Sequence, residues 1–323
     1  MDVSIVLLTY NSEDTVYECL ENINLNIKNS KLLCEIIVVD ANSNDNTIDI
    51  INQNSNAKII SIKEKNRSIS FNKGVDISIG KYICRVDARS VLPNNYINLC
   101  FNFLENNKNY FNVGGKMVPY NSNAHIEILY TSIISFGTAS FRISKIDRDV
   151  NSVYLGFFPK KTFLILGGYD EKNFFINEET DLNHRGKKHG YLIRLLASLK
   201  VTYITRNKFS DYLLTMKRYG AARGGFYLKH KMLNFRLVVF ILYYLVFISQ
   251  IFLSIYLKNI FYIYLIFFQF LALYLFFINN LKIIKYNLSL KIKLLIFTKI
   301  ITGHFFWLYG FFLRLLSITK NFN

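Results

Sequence analysis

The chain has 323 residues, 51% of them hydrophobic and 16% aromatic, which gives room for a full-sized domain plus an appendage and is rich for a wholly soluble protein. Its 39 Lys and Arg against 22 Asp and Glu leave a formal charge of +17, but no helix-turn-helix, zinc-finger or RNP-type aromatic motif accompanies that charge, so nucleic acid is not the expected partner. The four cysteines, Cys19, Cys34, Cys84 and Cys100, lack metal-ligand spacing and read as buried free thiols of a reducing compartment.

In chain order, Met1 to Thr9 is an apolar run that Asp2 and the Thr9-Tyr10-Asn11 turn cut to strand length, too short for a signal peptide. Ser12 is placed to cap a helix whose apolar face is Val16, Cys19, Leu20 and Ile23. Cys34 to Val39 is a second strand, ending in Asp40. The polar loop Asp40 to Thr47 then opens a second helix, with Ser43 and Asp45 as its caps. A third strand follows over Ala57 to Ile62, ending near Lys63 and Glu64, and a helix starting at Arg67 carries Phe71, Val75 and Ile79 on its apolar side with Gly80 as a stop. Asn72 and Lys73 fall on the polar side of that helix, Lys73 as a candidate phosphate ligand. Tyr82 to Asp87 is the fourth strand, and Pro93 starts a helix over 94–104.

Strands alternating with helix-capable intervals imply an α/β domain, Rossmann-like, with a mostly parallel sheet and flanking helices. Such sheets bind ligands outside the carboxyl ends of their strands, so Thr9, Asp40 and Asp87 are expected along one rim. The first turn has neither the glycines of a dinucleotide fingerprint nor a phosphate loop. Asp40 can accept from a base imide or a ribose hydroxyl. Asp87 could join a hard cation to a diphosphate, and Arg89 offers bidentate donors to phosphate oxygens directly.

Further on, Gly167-Gly168-Tyr169-Asp170-Glu171 reads as a turn, and a helix starting near Asn177 concentrates Glu178, Glu179 and Asp181 in its first turn, where carboxylates favour the helix dipole. Asp181 can cap that start or pair with Arg185. A glutamate among carboxylates has its pKa raised toward working pH, as a base requires. After about residue 236 the apolar mass collects into runs over 237–257 and 260–278, read as membrane spans, with a third, interrupted run over 294–316 that spans or lies in the interface. Lys217, Arg218, Arg223, Lys229, Lys231 and Arg236 precede the first run, and Lys282, Lys285, Lys291 and Lys293 precede the third, so both segments are expected on the cytoplasmic side. The five histidines show no ligand spacing and read as surface or interface residues. The many loop asparagines suggest no mechanism.

The series Val3 to Asn11, Val38 to Thr47, Asn72-Lys73-Gly74 and Arg85-Val86-Asp87-Ala88-Arg89 resembles the family 2 glycosyltransferases of the GT-A fold over about residues 2–225. The Arg-Val-Asp-Ala-Arg-Ser-Val-Leu-Pro run is similar to the bacterial exopolysaccharide branch of the succinoglycan type. The resemblance implies a nucleotide-sugar donor, with Thr9, Tyr10, Asp40, Asn72 and Lys73 at the nucleotide, and Asp87 as the ligand of Mg²⁺ or Mn²⁺. Where the family has Asp-x-Asp, this chain has Arg89 at the third position; where many relatives carry arginine before Asn72, it has Phe71. In the family an Asn/Gly-Glu-Asp-x-Asp-Leu motif supplies the base, which puts Glu179 in that role. Leu214 to Gly224 resembles the family's Gln-x-x-Arg-Trp region, with Arg218 kept and Tyr219 in place of Trp, and implies contact with diphosphate and acceptor. The expectation is a membrane-anchored, multi-pass, inverting transferase: a catalytic domain over 1–225, then a basic juxtamembrane and membrane region over 226–323, acting on a polyprenyl-linked saccharide in bacterial surface polysaccharide synthesis. A polyprenyl-phosphate sugar synthase, a processive polysaccharide synthase and an inactive nucleotide-binding scaffold are the alternatives.

Overall fold

The computed structural model describes residues 1–122, 126–127, 130, 144–233, 235–281 and 289–316. The chain divides into two compact units, one drawn from Met1–Ser122 and Ala139–Arg206, the other from Asn123–Thr138 and Asn207–Thr319.

The first unit starts with β1 (Val3–Thr9), α1 (Glu13–Ser30), β2 (Cys34–Asp40), α2 (Thr47–Asn54), β3 (Lys58–Ser61), α3 (Arg67–Ile77) and β4 (Tyr82–Asp87), the alternation read from the sequence. It continues with β5 (Ser90–Val91), α4 (Tyr96–Asn106), β6 (Tyr110–Tyr120), β7 (Arg148–Asp149), β8 (Tyr154–Pro159), α5 (Lys160–Ile165), α6 (Glu178–Lys188) and β9 (Leu192–Ile204). All nine strands form one sheet in the order β3-β2-β1-β4-β8-β6-β9-β5, with β7 also on β9. The first four strands are parallel. The other half departs from the expected mostly parallel sheet: β8 runs antiparallel between β4 and β6, and β5 and β7 run antiparallel to β9.

Because side chains alternate across a strand, β1 splits its apolar residues between two cores. Val3, Ile5 and Leu7 pack with Val16, Leu20 and Ile23 of α1 and with Ile97 and Leu104 of α4. Val6 and Leu8 face Phe71 and Val75 of α3, Phe158 and Leu182 on the other side. A sheet covered on both faces reads as continuous apolar runs, and every residue of β1 is buried. The helix after Arg67 ends earlier than expected. Ser78 turns extended and its hydroxyl donates to the Val75 carbonyl at 2.7 Å, which leaves Ile79 outside the helix and 69% exposed.

The parallel register puts Thr9 opposite Asp40, and Leu8 opposite Asp87, so the three expected residues do end adjacent strands on one rim. Asn11, Asn42, Asn95 and Asn177 all take positive φ, between 45° and 64°. The abundance of loop asparagine therefore has a mechanism: after glycine, Asn is the residue that best tolerates the left-handed region.

The second unit contains α7 (Phe209–His230), α8 (Phe235–Leu257), α9 (Ile260–Leu281) and α10 (Leu290–Leu315). Among the described residues one helix, Leu290–Leu315, is long and apolar enough to cross a membrane, and half of its apolar stretch is buried within the protein. The apolar stretches described in α8 and α9 are Ile241–Leu257 and Ile260–Leu275. Arg218 and Tyr219 lie in α7. Lys282 and Lys285 lie outside the described residues; Lys291 and Lys293 begin α10. His304 is not a surface residue: it is 4% exposed and its Nδ1 lies 2.7 Å from the Tyr244 hydroxyl.

Helices α7 and α10 meet backbone to backbone. A Cβ on Gly220 would stand 1.8 Å from the Trp307 carbonyl oxygen, and one on Gly310 would stand 1.9 Å from that of Lys217. Backbone cannot yield as a flexible side chain can, so Gly310→Leu is expected to force the helices apart and cost about 1–3 kcal/mol or more. Thermal unfolding in detergent checks this; an unchanged midpoint would rule the close contact out.

Candidate active site

On the nucleotide side of the rim, Asp40 is 1% exposed and its carboxylate is already engaged. Oδ1 accepts from the Thr9 hydroxyl at 2.7 Å and from the Ser43 hydroxyl at 2.6 Å, while Oδ2 accepts from the Ser43 N–H at 2.7 Å. Ser43 therefore closes the Asp40 turn and does not cap α2. Asp45 does support the helix start, with Oδ1 accepting from the Thr47 N–H at 3.1 Å. Asn11 joins the two loops, its N–H donating to Ser43 Oγ at 2.8 Å and its Oδ1 accepting from the Asn44 N–H at 3.0 Å. Tyr10 is the exposed member of the group. The Lys65 ammonium lies 4.5 Å from its ring centre and donates to its hydroxyl at 2.6 Å. Thr9, Tyr10 and Asp40 thus lie together, with Thr9 and Asp40 shaping the turn and Tyr10 presenting a face.

Asp40→Ala is expected to leave the Ser43 N–H and two hydroxyls without their acceptor, costing about 1–3 kcal/mol in stability and weakening donor binding through the loop. Calorimetric nucleotide titration beside a thermal melt tests it; no change in either removes Asp40 from the site.

Asn72 and Lys73 separate. The Asn72 amide clamps the glycine turn, with Nδ2 donating to the Tyr169 carbonyl and to Glu171 Oε1, both at 2.9 Å, and Oδ1 accepting from the Tyr169 N–H at 3.0 Å. Gly168 has φ +63° and would bring a Cβ to 3.0 Å from Asn72 Oδ1, so the clamp needs a residue without a side chain there. Lys73 is exposed.

The charged centre lies at the end of β4. Arg85 and Asp87 alternate along it, Arg89 follows in the turn beyond it, and Arg67 reaches it from the first turn of α3. Asp87 pairs with Arg67 through Oδ2 and with Arg85 Nε through Oδ1 at 3.1 Å. Arg85 also lies 2.7 Å from Glu178 Oε1, while Arg67 Nε stands 3.7 Å from the same atom. Arg85 donates to the Tyr169 hydroxyl at 3.3 Å, and its guanidinium lies 5.6–5.8 Å from the ring centres of Tyr169 and Phe71. Burial pushes the Asp87 carboxyl up, but the charges of Arg67 and Arg85 outweigh it and hold the pKa below the usual aspartate value. Arg89 is half-buried, and its guanidinium makes no hydrogen bond or ion pair among the described residues.

At the start of α6, Asn177 takes φ 58°, ψ 28°, a left-handed entry that explains why Asn or Gly suits this position. Glu178 is sealed in, 1% exposed, facing Arg85. Asp181 pairs with Arg185 at 2.8–2.9 Å, and Arg185 also donates to the carbonyls of Leu166 and Gly168, tying the helix to the glycine turn. Glu179 is half-buried and makes no ion pair among the described residues. Burial first, and then the negative charge of Glu178, raise its pKa above the ordinary glutamate value. An upward shift is the direction that suits a general base.

A hard divalent cation takes six or more oxygen ligands. Here both Asp87 oxygens hold guanidinium groups, the next carboxylate faces Arg85, and the third position of the triplet is itself a cation. Among the described residues no group of three or more His, Cys, Asp or Glu could hold a metal ion. The residues present do not fit the expected Mg²⁺ or Mn²⁺. An open cavity of about 670 Å³ lies at the opposite ends of β2 and β3, lined by Asn24, Cys34, Glu35 and Asn52 among others, away from all of these groups.

Residues 4–161 match the Glycosyl transferase family 2 model. The protein is a glycosyltransferase, and it is 25% identical over 242 residues, 69% of this chain and 73% of the relative, to the dolichyl N-acetyl-alpha-D-glucosaminyl phosphate 3-beta-D-2,3-diacetamido-2,3-dideoxy-beta-D-glucuronosyltransferase of Methanococcus voltae. It is 34% identical over 113 residues to the UDP-Glc:alpha-D-GlcNAc-diphosphoundecaprenol beta-1,3-glucosyltransferase WfaP of Escherichia coli, covering 34% of this chain and 43% of that one. The structure of S. aureus TarS has the same fold, with a TM-score of 0.51 at 14% identity, covering 73% of this chain and 44% of that chain.

Sequence reasoning missed Arg67, Arg85 and Tyr169. A signal was present for the first: with Phe71 at the family's arginine position, Arg67 stands one helical turn earlier on the same face.

Proposed function

We propose that this glycosyltransferase moves a sugar from a uridine-diphosphate donor onto a polyprenyl-linked saccharide, with inversion, in bacterial surface polysaccharide synthesis. The observation that carries the reading is Glu179: a half-buried carboxyl of raised pKa, without an ion partner among the described residues, beside a cationic centre at the strand ends. Glu179 takes the proton of the acceptor hydroxyl, whose oxygen bonds the anomeric carbon as the bond from that carbon to the diphosphate breaks. The electron pair leaves with the diphosphate, and positive charge at the rim stabilises it. Two relatives support a lipid-linked acceptor, since their names carry a dolichyl phosphate and a diphosphoundecaprenol.

The second unit is read as a multi-pass membrane anchor with the catalytic unit on the cytoplasmic side. Helices α8 and α9 run 23 and 22 residues, about the thickness of a bilayer core, and turn Phe252, Ile255, Tyr256 and Phe268 outward at 62–74% exposure. In the same reading Arg218 and Tyr219 serve the acceptor and diphosphate, Lys73 the phosphate, and the basic residues of α7 anionic lipid. Purified full-length protein in detergent, given a panel of UDP-sugars and undecaprenyl-diphosphate N-acetylglucosamine, should yield one glycosylated lipid of inverted anomeric configuration by NMR. A retained configuration would overturn the role of Glu179, and transfer only to free sugars would overturn the lipid acceptor.

A further inference from the structure

The misfit between the charged centre and a divalent cation has a chemical counterpart. Two guanidinium groups, of Arg67 and Arg85, pair with the carboxylates of Asp87 and Glu178, and Arg89 adds a third cation in the turn just beyond Asp87. The three differ in access. Arg85 is sealed at 4% side-chain exposure and serves Asp87 and Glu178, whereas Arg67 is 41% exposed and Arg89 is half-buried without an ion partner among the described residues. A cation at Asp87 would have to displace Arg67 and then sit beside the Arg85 guanidinium. A diphosphate meets the opposite situation, because planar guanidiniums match its oxygens in pairs and add charge-assisted hydrogen bonds.

We propose that Arg67 and Arg89 hold the donor diphosphate directly, without a bridging metal, and that Arg67 exchanges Asp87 for the diphosphate when the donor binds. Asp87 is then a positioning residue: in the free enzyme it holds Arg67 at the rim, and in the complex it keeps Arg85. When the bond between the anomeric carbon and the diphosphate oxygen breaks, the added negative charge falls on oxygens already held by Arg67 and Arg89, while the acceptor proton resides on Glu179. The inference rests on the glycosyltransferase reading above and concerns only what neutralises the leaving group.

Full-length protein in detergent is titrated calorimetrically with UDP and with UMP, first in EDTA and then in Mg²⁺ or Mn²⁺. UDP affinity should agree within about twofold between the two buffers, and Arg89→Ala and Arg67→Ala should each weaken UDP by about tenfold or more while changing UMP much less. Arg89→Ala should also keep the wild-type melting temperature, since its guanidinium supports no ion pair among the described residues. UDP binding that needs the metal, or equal losses for UDP and UMP, overturns the inference and leaves the glycosyltransferase reading standing. No binding of UDP, GDP or dTDP in either buffer overturns the donor reading with it.

Discussion

Glu179→Gln is expected to lower turnover by about 10²–10⁴ with donor affinity nearly unchanged. Glutamine keeps the size and hydrogen bonding of the side chain and removes only the proton acceptor. Glu178 is the competing candidate, and successive helical positions point about 100° apart, so one of the two faces the rim and the other faces the protein. Glu178 is the inward one: its side chain is 1% exposed and lies 2.7 Å from Arg85. The pH dependence separates them further. Glu179 works as a base only when deprotonated, so the rate falls as pH drops through its raised pKa, and part of that rise comes from the charge of Glu178. Glu178→Gln removes that charge and should move the acid limb of the rate profile to lower pH, whereas Glu179→Gln should flatten the limb. The measurement is turnover of both variants on one acceptor across pH. Greater damage in Glu178→Gln would move the base by one residue.

Much of this site could be read in the sequence, for reasons visible in individual residues. Thr9, Asp40 and Asp87 were placed together because three apolar runs of strand length each end in a polar residue, and parallel register then aligns those ends. The pairing of Asp181 with Arg185 follows from helical spacing alone. The antiparallel half of the sheet was not legible, because β5 and β7 have two residues each and carry no period. Arg85 was missed for a different reason. Within a buried strand it looks like one more alternating position, and only the tertiary fold reveals that its neighbours across the face are Tyr169, Phe71 and Glu178. Asn72 shows the converse: its place in the motif pointed to the nucleotide, and its amide is occupied on both sides by the glycine turn. The asparagines at left-handed positions were visible as a composition, but a backbone dihedral cannot be read from one.

Arg85→Gln is expected to be the most destabilising single change in the first unit, at about 3–5 kcal/mol, the usual cost of removing one partner of a buried ion pair. Arg85 joins the end of β4 to the start of α6, with Glu178 at 2.7 Å and Asp87 at 3.1 Å, and its own side chain is 4% exposed. Among the described residues the Glu178 oxygens have no aligned hydrogen-bond donor, so the charge of Arg85 is their main compensation. Without it a carboxylate stays buried, with Arg67 at 3.7 Å as the remaining cation. Pairing Arg85→Met with Glu178→Leu should recover most of the stability, since replacing both charges by apolar groups removes the desolvation penalty together with the attraction. A buried carboxylate that has lost its cation can become neutral only by taking up a proton. The deficit of Arg85→Gln relative to the wild type should therefore shrink as pH falls and grow as it rises. Thermal melts of the full-length single and double variants in detergent at several pH values decide the matter: if Arg85→Gln melts like the wild type, or the double variant is worse than the single, the ion pair is not what holds α6 against β4.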